Sequence, residues 1–319
     1  MPVLAALAAS LVLTPATIVL GRSLGLVDRP GDPLKIHSRE IPLLGGVAVV
    51  AATALAAFTP HLAWPRAGVV VAVVVALAAG TVDDARPLPP LVRIVALAFA
   101  GVAVAIGAPS GDVSAAAAPA VVLLVLACAN GVNILDGQDG LAAGVAAAAS
   151  FGLALCAVVL DGAVSHLVLA SGGALLGFLA WNRPPARVYL GNGGAYAVGV
   201  LLSVGAVHVV ERGGWRGLLA AGACLAVPAF EVAFTVARRA VSRDRLAAGD
   251  RLHSYDLVAM RIGRAGSTAV FVGLAILSSG IAAVISVAPL WAGIVLVSVG
   301  AAAAAWWGFR LWTRRPVAT

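Results

Sequence analysis

The stretch NGVNILDGQDGLAAG, residues 130 to 144, places carboxamides and carboxylates between two long apolar runs. Asn130, Asn133 and Asp136 are three residues apart, which makes them neighbours on one face of a helix. The glycines after Asp136 permit the chain to break there and to bring Asp139 back toward the same opening. Because an ionised side chain in hydrocarbon costs roughly 2.5 to 3.5 kcal/mol on an insertion scale, these residues are expected to face water, a cation or a substrate.

A second acidic group, Asp83 and Asp84 in GTVDDARP, follows another apolar run. Four carboxylates gathered at one membrane surface would need a counter-charge. Mg²⁺ is suited to this task, because it takes about one or two protein carboxylates and completes its shell with water and phosphate oxygens. The two groups together predict a metal and diphosphate site. Taken alone, Asp83 and Asp84 are equally typical of a solvated loop before a proline.

Three further polar segments carry candidate binding residues. DRPGDPLKIHSREIPLLGG contains Lys35 and His37, and it is also typical of an ordinary basic loop beside the membrane. In YLGNGGAYAVG, the glycines around Asn192 allow backbone amides at a helix start to approach an anion, although close helix packing explains them equally well. In AGDRLHSYDLVAMRIGR, His253 near Arg251 is suited to binding phosphate or to moving a proton.

The elements that must position these residues are membrane helices. Apolar residues make up 61% of the chain and charged residues 11%, and the mean hydropathy of +1.03 lies far outside the range of soluble domains. Runs long enough to cross about 30 Å of hydrocarbon predict eleven helices in one integral membrane domain, residues 1–319. The predicted spans are 3–20, 43–60, 67–82, 91–108, 117–133, 141–160, 163–181, 193–210, 217–237, 267–287 and 290–309.

The distribution of basic residues predicts the orientation of these helices. With the amino terminus outside and the carboxyl terminus cytoplasmic, 18 of the 21 Lys and Arg residues fall on the inner side. Residues 238–266 then form a basic cytoplasmic loop, and the acidic groups and polar segments lie at the inner surface. The net charge of +7 reflects this topology and attraction to anionic lipid, so nucleic acid is not expected as a partner.

In order along the chain, these segments resemble the polyprenyl-phosphate N-acetylhexosamine-1-phosphate transferases, glycosyltransferase family 4, which includes the MraY and WecA types. NGVNILDGQDGLAAG is similar to the family pattern NxxNxxDGxDGLA, and the Asp83–Asp84 pair matches its first acidic motif. The resemblance extends from KIHSREIPLLGG to HSYDLVAMRIG. Eleven helices with the amino terminus outside suit the WecA-like branch.

The resemblance implies a Mg²⁺-dependent phosphoglycosyltransferase, with Mn²⁺ as the alternative ion. Such an enzyme transfers a sugar 1-phosphate, GlcNAc-1-phosphate by default, from a UDP-N-acetylhexosamine to undecaprenyl or another polyprenyl phosphate and releases UMP. It would begin the synthesis of a lipid-linked cell-envelope glycan at the cytoplasmic face of the bacterial inner membrane. The lipid bilayer is the expected surroundings, and a homodimer is left open.

Matching the motifs residue by residue, the resemblance assigns three sets of roles. Catalytic roles fall on Asp83, Asp84, Asp136 and His253. Substrate-binding roles fall on Lys35, His37, Asn130, Asn133, Asp139 and Arg251. The expected metal ligands are Asp84, Asp136 and Asn192.

Two departures from the family pattern keep other functions open. Asn192 stands where the family usually has a metal-binding Asp, and an amide offers a carbonyl oxygen without charge. Leu252, His253, Ser254 and Tyr255 stand where many members have a His-x-His-His cluster. One alternative is therefore a diverged homologue that binds lipid phosphate or nucleotide with little turnover. An ion-coupled transporter is the other, although transporters usually place their acidic residues near the middle of the membrane.

Overall fold

The computed structural model describes residues 2–30, 39–57, 67–107, 114, 116–162, 165–242 and 252–313. Within these ranges the chain forms eleven helices and one two-stranded antiparallel ladder. The ladder pairs β1 (Val27–Asp28) with β2 (Ile41–Pro42). The helices are α1 (Pro2–Ser23), α2 (Gly45–Ala57), α3 (Ala67–Ala85), α4 (Pro90–Ile106), α5 (Ala118–Leu135), α6 (Leu141–Asp161), α7 (His166–Asn182), α8 (Gly191–Cys224), α9 (Ala226–Ser242), α10 (Ser254–Val287) and α11 (Leu290–Thr313).

Helix α8 lies at the centre of the bundle. It packs against α3, α5 and α6, and also against α2 and α10. Nearly every residue from 191 to 209 is buried, which explains why this helix is apolar all round. Helices α1, α2 and α7 form one flank of the bundle, and α3, α4 and α5 form another. The amino end of α8 is thereby enclosed by several other helices.

The outer surface of the bundle is apolar, as expected for contact with lipid. Large exposed side chains include Leu123, Ile276, Trp291 and Phe309. Among the described residues, seven helices are long and apolar enough to cross a membrane: α1, α3, α5, α6, α8, α10 and α11. Helices α2, α4 and α7 are apolar but shorter. The chain is therefore an all-α polytopic membrane protein.

Small residues bring α2 against α8. A methyl group added to Gly46 would lie 2.0 Å from the Cα atom of Gly194, so the two backbones are in direct contact. Such contacts are the usual means of packing helices in a membrane, where no hydrophobic effect drives one apolar helix onto another. This contact holds the amino end of α8 in position.

We expect Gly46→Ala to destabilise the protein by about 3 kcal/mol, because the helices must separate to admit the methyl group. Gly273→Ala is the matched control, since a methyl group at Gly273 of α10 would meet nothing within 4 Å. That control is expected to be neutral or stabilising, by up to about 1 kcal/mol. Thermal unfolding in detergent measures both changes. Equal midpoints for the two variants would contradict the close contact of α2 with α8.

The predicted ninth span, residues 217–237, is wrong as a single helix. Helix α8 ends at Cys224 and α9 begins at Ala226. Pro228 explains the break, because it has no N–H to donate to the carbonyl of Cys224, whereas proline is tolerated in the first turn of a new helix. Helix α8 itself has a kink at Gly214 (φ 54°, ψ −128°), which joins two helical parts. This kink lies between the predicted end of the eighth span at residue 210 and the predicted start of the ninth at residue 217.

The predicted tenth span, residues 267–287, lies within the second part of α10. Helix α10 starts at Ser254, and a kink at Gly263 (φ 76°, ψ 165°) separates its short first part from the part that continues to Val287. The segment predicted as a basic loop, residues 238–266, is therefore helical in both of its described parts. Residues 243–251 of that segment lie outside the described residues.

Candidate active site

The ends of α3 and α5 meet the beginning of α8. The Asp84 carboxylate of α3 accepts the backbone N–H groups of Asn192 and Gly193, at 3.1 and 3.4 Å. The Asp136 carboxylate, which directly follows α5, accepts the N–H of Gly191 at 3.0 Å. The first N–H groups of a helix have no partner within the helix and lie at its positive end, so carboxylates stabilise them. The two predicted acidic groups thus converge on one helix terminus.

Only glycine fits at position 191. Its φ of +72° is in the left-handed region, and a methyl group there would lie 2.2 Å from the Leu43 carbonyl oxygen and 2.7 Å from Asp84 Oδ2. Any larger residue would push Asp84 away from the amides that it accepts. The glycine-rich segment therefore allows both the close packing and the approach of backbone amides to negative charge.

Asp83 is fixed by three donors. Leu88 N donates to Oδ1 at 2.7 Å, and Oδ2 accepts from Arg93 Nη1 at 3.3 Å and from Asn192 Nδ2 at 2.9 Å. The Asp83 side chain is almost fully buried, at 4% exposure. A carboxylate held in this way serves best as a fixed acceptor. Arg93 was not singled out from the sequence, because there it is one of many inner-side basic residues.

Asn192 connects three helices through its side-chain amide. Its Nδ2 donates to Asp83, and its Oδ1 accepts from Asn133 Nδ2 at 2.5 Å. The predicted Asn133 thus belongs to the cluster. Asn130 does not join it through a hydrogen bond: this side chain is exposed and donates to the Leu126 carbonyl of its own helix at 2.8 Å. Its substrate-binding role stays a prediction.

Asp139 is brought back toward the cluster by the break after α5. Oδ2 accepts the N–H of Ala186 at 2.9 Å, and Oδ1 accepts the hydroxyl of Tyr189 at 3.1 Å. The turn is closed by Asn182, whose Oδ1 accepts the N–H of Gly140 at 3.0 Å. Tyr189 is the first residue of YLGNGGAYAVG, but nothing in its spacing pointed to a partner 50 residues earlier in the chain.

The electrostatics of this cluster favour a cation. Burial raises the pKa of Asp136 well above its usual value, and the charges of Asp84 and Asp139 raise it further, against the lowering effect of nearby backbone N–H groups. Burial and the charge of Asp139 also raise the pKa of Tyr189, so this phenol stays protonated and donates. A positive charge beside Asp136 would lower its pKa and stabilise the carboxylate.

The donor set fits a hard divalent ion. Asp84, Asp136 and Asn192 offer only oxygen ligands, which Mg²⁺ prefers. Among the described residues no three His, Cys, Asp or Glu side chains form a complete ligand set.

His253 precedes α10 and lies in a second polar cluster formed with α9. Its Nδ1 lies 3.0 Å from Thr235 Oγ1, and its ring stacks on Tyr255 with 5.4 Å between centroids. The neighbouring Ser254 donates to the buried Glu231. Tyr255 in turn donates to the carbonyl of Ile134, at the end of α5, over 2.9 Å. This hydrogen bond places the His253 turn beside the end of α5, next to Asp136.

Three predicted residues fall outside the described parts of the chain, namely Lys35, His37 and Arg251. Their roles stay predictions.

Replacing Arg93 should show how strongly Asp83 depends on it. We expect Arg93→Met to lower the free energy of unfolding by about 2 kcal/mol, because the buried Asp83 carboxylate loses its ion pair. The loss is moderate because Arg93 itself is 31% exposed, so water screens the pair. Asp83→Asn in the same background should restore most of that loss, because the unpaired charge is removed. Arg86→Met is the matched control, as Arg86 is exposed in the same segment. Equal unfolding midpoints for the Arg93 and Arg86 variants would refute the pairing.

The segment that carries this cluster is similar in sequence to known proteins. The sequence model of glycosyl transferase family 4 matches residues 66–210, which include both acidic groups. A Bacillus subtilis protein named a probable undecaprenyl-phosphate N-acetylglucosaminyl 1-phosphate transferase is 26% identical over 313 residues, 91% of this chain and 85% of that protein. The undecaprenyl-phosphate alpha-N-acetylglucosaminyl 1-phosphate transferase of Thermotoga maritima is 27% identical over 260 residues, 80% of each chain.

A shorter match concerns another enzyme type. The phospho-N-acetylmuramoyl-pentapeptide-transferase of Desulforudis audaxviator is 48% identical over 87 residues, 27% of this chain and 26% of that protein. The convergence of both acidic groups on one helix terminus lies within the segment that the family model matches. The chain is therefore similar to glycosyl transferase family 4 over the segment that carries both acidic groups, residues 66–210.

Proposed function

We propose that the protein transfers a sugar 1-phosphate, GlcNAc-1-phosphate in the first instance, from a UDP-sugar to undecaprenyl or another polyprenyl phosphate. The convergence of Asp84 and Asp136 on the amino end of α8 carries this proposal. An oxygen of the lipid phosphate attacks the β-phosphorus of the UDP-sugar, the bond from that phosphorus to the bridging oxygen breaks, and UMP leaves. The product is a lipid-linked sugar diphosphate, the starting point of a cell-envelope glycan.

Two neighbouring carboxylates suit different tasks in this reaction. Asp83 already accepts three hydrogen bonds, so it positions Asn192 and the end of α3. Asp84 accepts only backbone N–H groups at longer distances, which suits it to orient the lipid phosphate and to take its proton. General-base help of this kind is worth about 10²- to 10⁴-fold in rate.

Asp84, Asp136 and Asn192 would hold Mg²⁺, with Mn²⁺ as the alternative. The ion, when bound, neutralises charge that develops on the phosphates as the bond breaks. Asp139 and Tyr189 would orient the nucleotide side of the donor, together with Asn130 and Asn133. His253 would contact a phosphate from the α10 side, joined by Lys35, His37 and Arg251.

The proposed orientation places this cluster at the cytoplasmic face of a bacterial inner membrane. The amino terminus is outside and the carboxyl terminus is cytoplasmic. Both acidic groups lie at one end of the bundle, which supports this arrangement. The ion pair of Arg212 with Asp161 lies at the end of α6 that is remote from Asp139. A homodimer remains part of the proposal.

One observation favours a second candidate, a diverged homologue that binds without turnover. The Asn192 amide is engaged on both sides, by Asp83 and by Asn133, and it brings no charge to a metal. An ion-coupled transporter is less well supported, because the carboxylates collect at helix ends and not midway along a helix.

The proposal is tested by UMP release from purified protein with undecaprenyl phosphate, Mg²⁺ and a panel of UDP-sugars. We expect UMP to form with UDP-GlcNAc and only when the lipid phosphate is present. No release with any common UDP-N-acetylhexosamine, from protein that still unfolds cooperatively, would favour the binding-only homologue.

A further inference from the structure

A second polar region lies between α1, α7 and the segment after α7, and it begins with a proline. Pro15 lies inside α1 and has no N–H, so the carbonyl of Leu11 loses its helical partner. The indole N–H of Trp181 donates to that carbonyl instead, at 3.2 Å. This hydrogen bond fixes the Trp181 ring at the surface between α1 and α7.

Two adjacent cavities of about 380 and 320 Å³ share Arg39, Trp181 and Arg187 in their walls. Arg22 completes the basic lining of the larger cavity, and Arg183 that of the smaller one. The guanidinium of Arg187 lies 5.7 Å from the centroid of the Trp181 ring. Arginine and tryptophan together form a wall that is both cationic and flat.

The described lining of the larger cavity has more basic than acidic side chains. Among the described residues that line it, Glu40 is the one carboxylate, and it pairs with Arg29 at 3.5 Å. The guanidinium of Arg39 is braced by the carbonyl of Ala186, to which Nη2 donates at 3.0 Å. The described lining therefore presents three guanidinium groups and one carboxylate.

The same cavity borders the lipid-facing side of α1. Ile18 and Val19 line it together with Pro15, and Val19 is 68% exposed on the outer surface of the bundle. A molecule bound here would touch apolar surface on one side and arginine on the other. A lipid with an anionic headgroup has that combination of chemistry, since its phosphate can form charge-assisted hydrogen bonds with guanidinium groups.

We infer that this arginine cavity, lined by Arg22, Arg39, Trp181 and Arg187, binds the phosphate headgroup of an anionic membrane lipid. Its acyl chains lie along α1. The inference requires that α1 crosses the membrane, but it does not depend on the proposed transferase reaction. It gives the cavity a ligand class that differs from the nucleotide and metal expected at the carboxylate cluster.

The cavity is connected to that cluster by one residue. The carbonyl of Ala186 accepts from Arg39, while its N–H donates to Asp139 Oδ2. A phosphate that draws Arg39 toward the cavity would therefore act on the segment that orients Asp139. Lipid occupancy is expected to change the affinity for the UDP-sugar if that reaction is confirmed.

Native mass spectrometry of the full chain in detergent tests the inference. We expect one retained molecule of phosphatidylglycerol and weaker binding of phosphatidylcholine. Arg22→Gln combined with Arg187→Gln should weaken phosphatidylglycerol binding by about tenfold or more, as each lost guanidinium removes a charge-assisted hydrogen bond. Arg310→Gln is the matched control: its guanidinium lies 4.8 Å from the Trp306 ring, but it lines neither cavity.

Several outcomes would overturn the inference. Equal binding of phosphatidylglycerol and phosphatidylcholine would remove the headgroup specificity. An equal loss in the Arg310 variant would indicate general attraction to basic residues at the surface. Displacement by inorganic phosphate at the same concentration as lipid would indicate a free-anion site, and retention of undecaprenyl phosphate in place of phosphatidylglycerol would assign the cavity to the acceptor substrate.

Discussion

Asp84→Asn is expected to lower turnover by about 10³-fold while the protein stays folded. The substitution keeps the shape of the side chain and one oxygen that can accept the N–H of Asn192. It removes the negative charge, and with it both the capacity to take a proton and one expected ligand charge of the metal. The rate of UMP release at saturating donor, beside the unfolding midpoint, measures the two effects separately.

Asp161→Asn is the matched control for this substitution. Asp161 pairs with Arg212 at the end of α6 that is remote from Asp139, and both side chains of this pair are partly exposed. We expect turnover within about twofold of wild type, since partly exposed ion pairs contribute about 1 kcal/mol or less. A similar loss in both variants, or full activity of Asp84→Asn, would remove Asp84 from the catalytic group.

Asn192→Asp is expected to make the protein strongly dependent on Mg²⁺. Asn192 Nδ2 donates to Asp83 at 2.9 Å, so a carboxylate at this position would face another carboxylate across a hydrogen-bond distance. Without a cation this repulsion should lower the unfolding midpoint, and Mg²⁺ should restore it. An added ligand charge should also lower the Mg²⁺ concentration for half-maximal UMP release by about tenfold.

Asn182→Asp separates this effect from the general cost of a buried charge. Asn182 is also buried, but its amide connects Gly140 N and the carbonyl of Val188. The control should lose stability to the same extent in Mg²⁺ and in EDTA. If Asn192→Asp behaves in the same way, with no difference between the two conditions, Asn192 does not lie beside the metal.

The spacing of polar residues predicted much of the cluster. Asp136 and Asp139 are each followed by a glycine at the end of an apolar run, and that local pattern was enough to predict that both carboxylates approach one opening. Asp84 and Asn192 were joined to them by the order of the inner loops. The same three-residue spacing also predicted Asn130, but this side chain donates to the Leu126 carbonyl of its own helix. Residues on one helical face extend over several turns, so spacing alone does not decide which of them join the cluster.

The partners of these residues were not predictable, because they depend on contacts between helices that are distant in sequence. Arg93 pairs with Asp83 only through the packing of α3 with α4. The contact of the buried Glu231 with Ser254 depends on where α10 begins. Hydropathy was enough to predict the helices themselves. The break at Leu225 was not predicted, because it depends on the position of Pro228 inside an otherwise unbroken apolar run.

The most direct measurement is the fate of the β-phosphate. Purified protein, undecaprenyl phosphate and Mg²⁺ would be incubated with UDP-GlcNAc labelled at the β-phosphorus, and the lipid fraction would then be extracted. We expect the label to enter the lipid together with the sugar, in the same amount as UMP is released. Label that stays in the aqueous phase as a sugar phosphate, or a lipid that carries sugar without labelled phosphorus, would contradict attack at the β-phosphorus by the lipid phosphate.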